Sequence, residues 1–286
     1  MAEEDGPPGR VVSDQDSVVS DQDNQPCDLD TSVAHPARVW NYLLGGKDNF
    51  AADRESAENV LAVMPVMGRV ARAGRAFLAA AVHHLAADAG IRQFLDVGTG
   101  LPTANNTHEV AQRAAPGSRI VYVDNDPIVL AHARALLTSN PQGATTYIQA
   151  DIRDTDTILR QAAGMLDFSQ PIAVMLLAIL HFVPDEDDPY AITTKLMEAM
   201  PSGSFLAISH ASSDIQADVV AAGRVAYNER SSVSVTPRAR AQVTRFLDGL
   251  EIVPPGVVPL GHWQPGPVRA VSRPGLPTYT AVARKP

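Results

Sequence analysis

The chain has 286 residues, of which 45% are hydrophobic, with one cysteine and a formal net charge of −9. That length suits one large domain or two small ones, and that apolar content can bury a sizeable core. The lone Cys27 excludes an intramolecular disulfide and a cysteine-based zinc site, and the longest apolar run, Ile172–Leu180, is too short to cross a bilayer.

Charge is unevenly spread. Residues 1–30 carry nine acidic residues against Arg10, which leaves the rest nearly neutral with 23 acidic and 22 basic residues. A balanced body has no general attraction for nucleic acid. Within the first 32 residues Val11-Val12-Ser13-Asp14-Gln15-Asp16 recurs as Val18-Val19-Ser20-Asp21-Gln22-Asp23. This low-complexity acidic stretch, 1–32, is expected to be a disordered tail. It lacks the apolar run of a secretory signal, and with a single cysteine the expected location is the cytoplasm.

Residues 33–90 are expected to form a helical cap. Pro36 suits a first helical turn, and the helix it opens stops at Gly45-Gly46. A second helix is expected over 51–63. A third, over 66–88, sets Phe77, Leu78, Ala81, Val82 and Leu85 at helical spacing. From 91 to 286 strands and helices alternate. Strands are expected at 93–97, 119–123, 145–149, 172–178, 204–209, 251–258 and 278–284. Helices are expected near 103–115, 126–138, 154–165, 189–200, 214–228 and 236–248. Strands separated by helices imply a parallel sheet with right-handed crossovers. The proline- and glycine-rich 265–277 stretch has no helical pattern, so the seventh strand should return antiparallel.

The segment Phe94-Leu95-Asp96-Val97-Gly98-Thr99-Gly100 reads as a buried strand entering a glycine turn before a helix. The next strand, Ile120–Val123, ends at Asp124. A glycine turn lets a ligand approach the backbone, the helix start offers free N–H groups, and the acid suits a ribose diol. Thr103 stands where a dinucleotide fingerprint needs its third glycine. Asp96, directly before the turn, would repel a pyrophosphate but attract the ammonium of a methionine moiety. The pattern therefore favours S-adenosylmethionine over NAD. Thr103 or Asn105 is expected to cap the following helix.

The sequence also resembles the S-adenosyl methyltransferase family of actinobacteria, once catalogued as a domain of unknown function. The resemblance runs from about residue 34 onward. It rests on the Ala37–Arg54 block with Asn41-Tyr42-Leu43-Leu44-Gly45-Gly46-Lys47-Asp48-Asn49, and on Asp96–Thr103, Tyr122–Pro127, Ala150–Arg153 and Leu180–Asp185. It implies a Rossmann-like class I methyltransferase fold, α/β, with a seven-stranded mostly parallel sheet, helices on both faces and the N-terminal cap. It implies S-adenosylmethionine as cofactor and names no acceptor. Trp40, where another aromatic is usual, reads as packing.

The expected cofactor residues are Asp96, Gly98, Thr99, Gly100, Asp124, Asn125, Asp151, Ile152 and Ala178. The glycine N–H groups would meet the amino acid end of the cofactor, and Asp124 the ribose. Asn125 would line the adenine edge, while Asp151 and the Ile152 N–H would meet the base. Asp151 alternatively caps the next helix. His181, three residues past the fourth strand, is the candidate general base, against a purely packing role. Tyr42, Lys47 and Asn49, with Asp48 and Asp53 beside them, suggest a lid hinged at Gly45-Gly46. His210 and Tyr227 are expected near the acceptor, with Arg224 lining the same cavity from the helix after the fifth strand. The acidic run 185–188 reads as a charged loop, and no metal site is expected.

The acceptor is therefore expected to be a small molecule, with neither nucleic acid nor membrane as partner. Two other functions remain at this point: a non-catalytic S-adenosylmethionine-binding regulator and an NAD-dependent oxidoreductase. Oligomeric state is not legible.

Overall fold

A computed structural model describes residues 30–136, 139–266 and 275–286. Most of the acidic tail, residues 1–29, and the last two residues of the helix expected over 126–138 lie outside the described residues.

Three helices come first: α1 (Pro36–Leu43), α2 (Ala51–Val63) and α3 (Met67–His83), the last prolonged by a wider turn over His84–Asp88. The alternating region follows as β1 (Gln93–Val97), α4 (Thr107–Ala114), β2 (Arg119–Asp124), α5 (Pro127–Leu136), β3 (Ala144–Gln149) and α6 (Thr155–Ala162). It continues with β4 (Ala173–Leu177), α7 (Pro189–Glu198), β5 (Phe205–Ala211), α8 (Ala217–Asn228), α9 (Arg240–Arg245), β6 (Glu251–Ile252), β7 (Val258–Leu260) and β8 (Leu276–Arg284).

The sheet order is β3-β2-β1-β4-β5-β8-β6, with β7 also on β8. β1 to β5 pair in parallel, and β8 runs antiparallel to β5, β6 and β7. The expected doubly wound sheet with one reversed strand is therefore present. The strand expected at 251–258 is instead two short strands. Pro254 and Pro255 offer no N–H to a ladder, and Gly256 takes φ +93°, so the chain turns out of the sheet between them.

The sheet buries both faces, and strand alternation decides what meets what. Leu95 and Val97 face Ile158, Leu196 and Phe246 of the α6, α7 and post-α9 layer. Phe94 faces the opposite layer, with Phe77 and Leu78 of α3 and Val110 of α4. Asp96 alternates with Leu95 and so shares the face of Phe94, which brings α3 and α4 to its carboxylate. A third cluster joins α1, α2 and α8 through Val39, Leu43, Val60, Met64, Val220 and Tyr227.

Asp53 anchors the N-terminal helices. It is fully buried and accepts the N–H of His35 at 2.9 Å and of Phe50 at 2.8 Å, with Arg38 Nε 3.6 Å away. Replacement by alanine would leave two backbone donors without their acceptor and unbalance the buried Arg38. Asp53→Ala should lower unfolding free energy by about 3–5 kcal/mol in urea titration. A loss below about 1 kcal/mol, the scale of an exposed pair, would contradict this role.

Candidate functional site

A cavity opens at the carboxyl ends of β1 to β5, where ligands of such sheets bind. Asp96, Gly98, Thr99, Gly100, Asp124, Asn125, Asp151, Ile152, Ala178, His181 and Tyr227 all line it. So do α1, α2, α3 and α8, through residues such as Ala37, Met64, Arg75 and Val220.

The glycine turn is built by its neighbours. Gly98 takes φ +76°, and a Cβ there would meet the Ile179 side chain at 2.8 Å. The N–H groups of Gly98 and Thr99 both donate to Val123 O, at 2.8 and 3.2 Å, and Gly100 N–H donates to Asp124 Oδ2 at 2.8 Å. These donors are consumed inside the protein by the adjacent strand end. The turn contributes shape to the cavity, and the expected donation from Gly98 and Gly100 to a ligand is corrected.

Asp124 is 8% exposed, which excludes a solvated strand-end acid. Its Oδ1 accepts the Asp126 N–H at 3.0 Å. Each oxygen thus holds one backbone donor and keeps lone-pair capacity for a diol. Burial raises its carboxyl above the usual range, against the pull of those two N–H groups. Asp96 is also buried; burial pushes it up to about 6, while the Thr107 hydroxyl at 2.6 Å and the nearby Arg75 pull it down.

Arg75 has no sequence signal, since an arginine on a helix ordinarily reads as a solvated face. Its Nη2 donates to Ala104 O, Asn105 O and Asn106 Oδ1 at 3.1, 2.9 and 3.4 Å. Its Nε is buried without a partner, as is Thr103 Oγ1 in the same cavity. Neither Thr103 nor Asn105 caps α4. The cap position is Asn106, whose side chain turns back to accept the Thr103 N–H at 3.0 Å.

Asp151 accepts the Arg153 N–H at 2.9 Å, and Asn125 Nδ2 reaches its other oxygen at 3.5 Å. It does not cap α6; Asp154 does, accepting the Thr157 N–H at 3.1 Å. Ala178 sits in the left-handed region at φ +56°, with its N–H on Ser209 O at 3.0 Å. A left-handed alanine costs about 1–2 kcal/mol and marks a place where the backbone is held for a purpose.

His181 lines the cavity but is not arranged as a base. Burial, then the Arg238 charge, hold it down to about 3, and its Nδ1 accepts the Ala211 N–H at 3.4 Å. The ring proton is therefore on Nε2, leaving no free basic nitrogen. His210 does not line the cavity. It is fully buried, donating from Nδ1 to Ala211 O at 2.8 Å and accepting Arg238 Nη1 on Nε2 at 2.9 Å. Arg238 can only donate, so this tautomer follows.

The expected lid residues stand apart from the cavity. Tyr42 donates to Glu58 at 2.8 Å, and Lys47 is exposed. Asn49 donates to Asn41 Oδ1 at 2.8 Å and Gly46 O at 3.0 Å. Asn41 Oδ1 also accepts the Asp48 N–H at 3.1 Å, and Gly46 packs directly on the Asn41 side chain. The Gly45-Gly46 segment is a loop folded onto Asn41, and α1 itself forms the cavity wall. Among the described residues there is no cluster of metal-ligating side chains and no helix long and apolar enough to cross a membrane.

A family profile described as S-adenosyl methyltransferase matches residues 22–286. A DUF574 family protein from Streptomyces avermitilis is 43% identical with TM-score 0.85, covering 90% of this chain and 99% of its own. A candidate methyltransferase from Thermobifida fusca is 37% identical with TM-score 0.81, covering 90% and 96%. Magnesium protoporphyrin IX methyltransferase from Synechocystis, with bound cofactor, shares the fold at 13% identity and TM-score 0.50, covering 92% and 100%. No curated protein is similar at a significant level.

The raised Asp96 has a pH signature. Native Asp96 holds its proton more tightly than the unfolded chain, so its contribution to stability declines as pH rises from about 4 to about 6. Asp96→Asn should therefore stabilise the ligand-free protein more at pH 7 than at pH 4, by up to about 3 kcal/mol. Denaturant titrations at the two pH values measure this, and a pH-independent difference would mean an unshifted carboxyl.

Proposed function

This chain belongs to the S-adenosyl methyltransferase family, and we propose that its cavity seats the methyl donor against β1–β3 and a small-molecule acceptor beneath α8. It is an S-adenosylmethionine-dependent methyltransferase. The observation that carries the seating is the gathering of Asp96, Asp124, Arg75 Nε and Thr103 Oγ1 in one cavity. Two buried carboxylates and two buried polar atoms without partners call for a polar, cationic occupant.

In this reading Asp124 accepts the ribose diol and Asp96 the ammonium. Arg75 and Thr103 donate to the carboxylate of the methionine moiety, a role the sequence does not signal. Asp151 and the Ile152 N–H meet the adenine, with Asn125 at its edge. Ala178 stands beside the reacting methyl, where its held backbone shapes the passage to the acceptor. The bound sulfonium supplies an electrophilic methyl group. The chain's own task is alignment and exclusion of water.

α1 and α2, packed on α8, act as the cover of this cavity. His35 Nδ1 lies 3.1 Å from Asp126 Oδ2, and Arg38 Nε lies 3.5 Å from it, next to the ribose acid Asp124. The near-neutral body supports a metabolite acceptor over nucleic acid, and the lone cysteine supports a cytoplasmic setting.

Calorimetry with S-adenosylhomocysteine tests the seating. Asp124→Ala should weaken binding by about 1–3 kcal/mol, the cost of a lost charged hydrogen-bond partner. Arg75→Gln should weaken S-adenosylhomocysteine while leaving 5′-methylthioadenosine, which lacks the amino acid end, unchanged. Equal losses for both ligands would remove Arg75 from the carboxylate.

A further inference from the structure

Charge is segregated along the cavity. All its lining carboxylates, Asp96, Asp124 and Asp151, stand at the ends of β1 to β3. Beneath α8 and beside β4 and β5 no acidic side chain among the described residues lines the wall, and the buried Asp53 near Tyr227 is faced by Arg38. The polar groups there are uncharged or cationic: the hydroxyls of Ser209, Thr278 and Tyr227, with His181 and Arg224. His181 presents a protonated Nε2, since its Nδ1 is taken by the Ala211 N–H. Tyr227 is buried, and Ser231 approaches its hydroxyl without closing a hydrogen bond of standard geometry. Burial pushes its phenol well up, so it remains a donor.

Arg224 lies one turn before Tyr227 on α8, exposed at the edge of the helix's buried face, and lines the cavity. It makes no hydrogen bond or ion pair with any described residue. The other two arginines of the lining are engaged. Arg75 donates to the loop after β1, and Arg153 lies 3.1 Å from Asp187. The remaining wall is apolar, with Val60, Met64, Phe182 and Val220.

An amine or other cation entering this end would meet hydroxyl groups and the Arg224 guanidinium but no lining carboxylate to balance its charge. A neutral alcohol would need a base to become a strong nucleophile, and His181 has no free basic nitrogen. A carboxylate is already ionised at neutral pH, accepts from every donor present, and needs no proton removed. We propose that the acceptor is an apolar carboxylic acid whose carboxylate, held by Tyr227, His181 and Arg224, is itself methylated. One carboxylate oxygen uses a lone pair to form the new bond to the methyl carbon. The methyl–sulfur bond breaks and its electron pair stays on sulfur. An anion and a sulfonium become a neutral methyl ester and a neutral thioether, and no proton moves.

The proposal rests on the seating of the cofactor against β1–β3, so binding of S-adenosylhomocysteine is measured first. Its failure to bind wild-type protein would sink that seating; normal binding leaves the acceptor claim to be judged alone. The full-length protein saturated with S-adenosylhomocysteine is then titrated with octanoate, octan-1-ol and octylamine. Octanoate should bind at least about tenfold more tightly than either chain-matched control. Arg224→Gln and Tyr227→Phe should each erase most of that preference while binding S-adenosylhomocysteine like the wild type. Equal binding of the three probes, no binding of octanoate, or a preference unchanged in both variants would overturn the anion site. For the transfer itself, methyl-labelled S-adenosylmethionine is supplied with an organic-acid extract. Label released as methanol by mild alkali identifies a methyl ester. Alkali-stable label, or no transfer at all, would overturn the esterification.

Discussion

The carboxylate of Asp124 is the constraint on which the site's geometry depends. One oxygen holds Gly100 N–H and thereby fixes the turn after β1; the other holds Asp126 N–H and fixes the turn after β2. Asp126 in turn accepts Ile128 N–H at 2.9 Å, starting α5, and faces His35 and Arg38 of the α1 entry. Arg38 continues the chain to Asp53 at the head of α2. One buried acid at a strand end therefore links two turns of the sheet to the helices that cover it. The linkage is polar and buried, so each member is costly to remove and favoured only with all partners in place.

This explains why the cover and the ligand floor are mechanically coupled. Apolar contact alone between α1, α2 and α8 would allow the helices to slide over the sheet edge. The hydrogen bonds that Asp53 accepts from the His35 and Phe50 N–H groups have direction, and the buried Arg38 charge lies between Asp53 and Asp126. Ala37 packs with Leu101, Ile128 and Val129 directly above the same turns. A ligand that hydrogen-bonds Asp124 thus meets a carboxylate already oriented by the backbone, with little left to reorganise on binding.

The sheet was legible because its signals are local. β1 to β5 are apolar runs bounded by turn residues, and their helices show the longer period. The strand at 251–258 was misread because its apolar content masks what Pro254 and Pro255 do to a ladder. Asp96 and Asp124 were legible because they sit at fixed offsets from the glycine turn. Arg75 was not, since its charge comes near Asp96 only through the packing of α3 on the Phe94 face, a proximity across 21 residues that no local pattern encodes. Tyr42, Lys47 and Asn49 read as a lid for the opposite reason, and none of them lines the cavity. A dense polar motif looks like a ligand site, yet Asn41 absorbs that loop by accepting from it. His210 looked placed for chemistry by its strand-end position, but β5 alternation sends it inward to Arg238.

Arg238 shows how the second half of the cavity is held without catalytic side chains. It is 1% exposed, donates to Leu180 O and Val183 O at 3.0 and 2.9 Å, and pairs with Asp185 Oδ1 at 2.6 Å. Its guanidinium lies over the rings of Phe246 and Tyr190 at 5.6 and 5.9 Å. The segment carrying His181 is therefore pinned at both ends by a cation that cannot lose its charge. Burial keeps both neighbouring imidazoles neutral, and the Arg238 charge adds to it. A general base needs a nitrogen whose proton affinity lies near the working pH. This arrangement moves His181 away from that range and spends its Nδ1 on the Ala211 N–H. What remains is a fixed donor in the cavity wall. The side chains of this half are thus organised to position a nucleophile that arrives already deprotonated, and the rate advantage available to them is that of alignment.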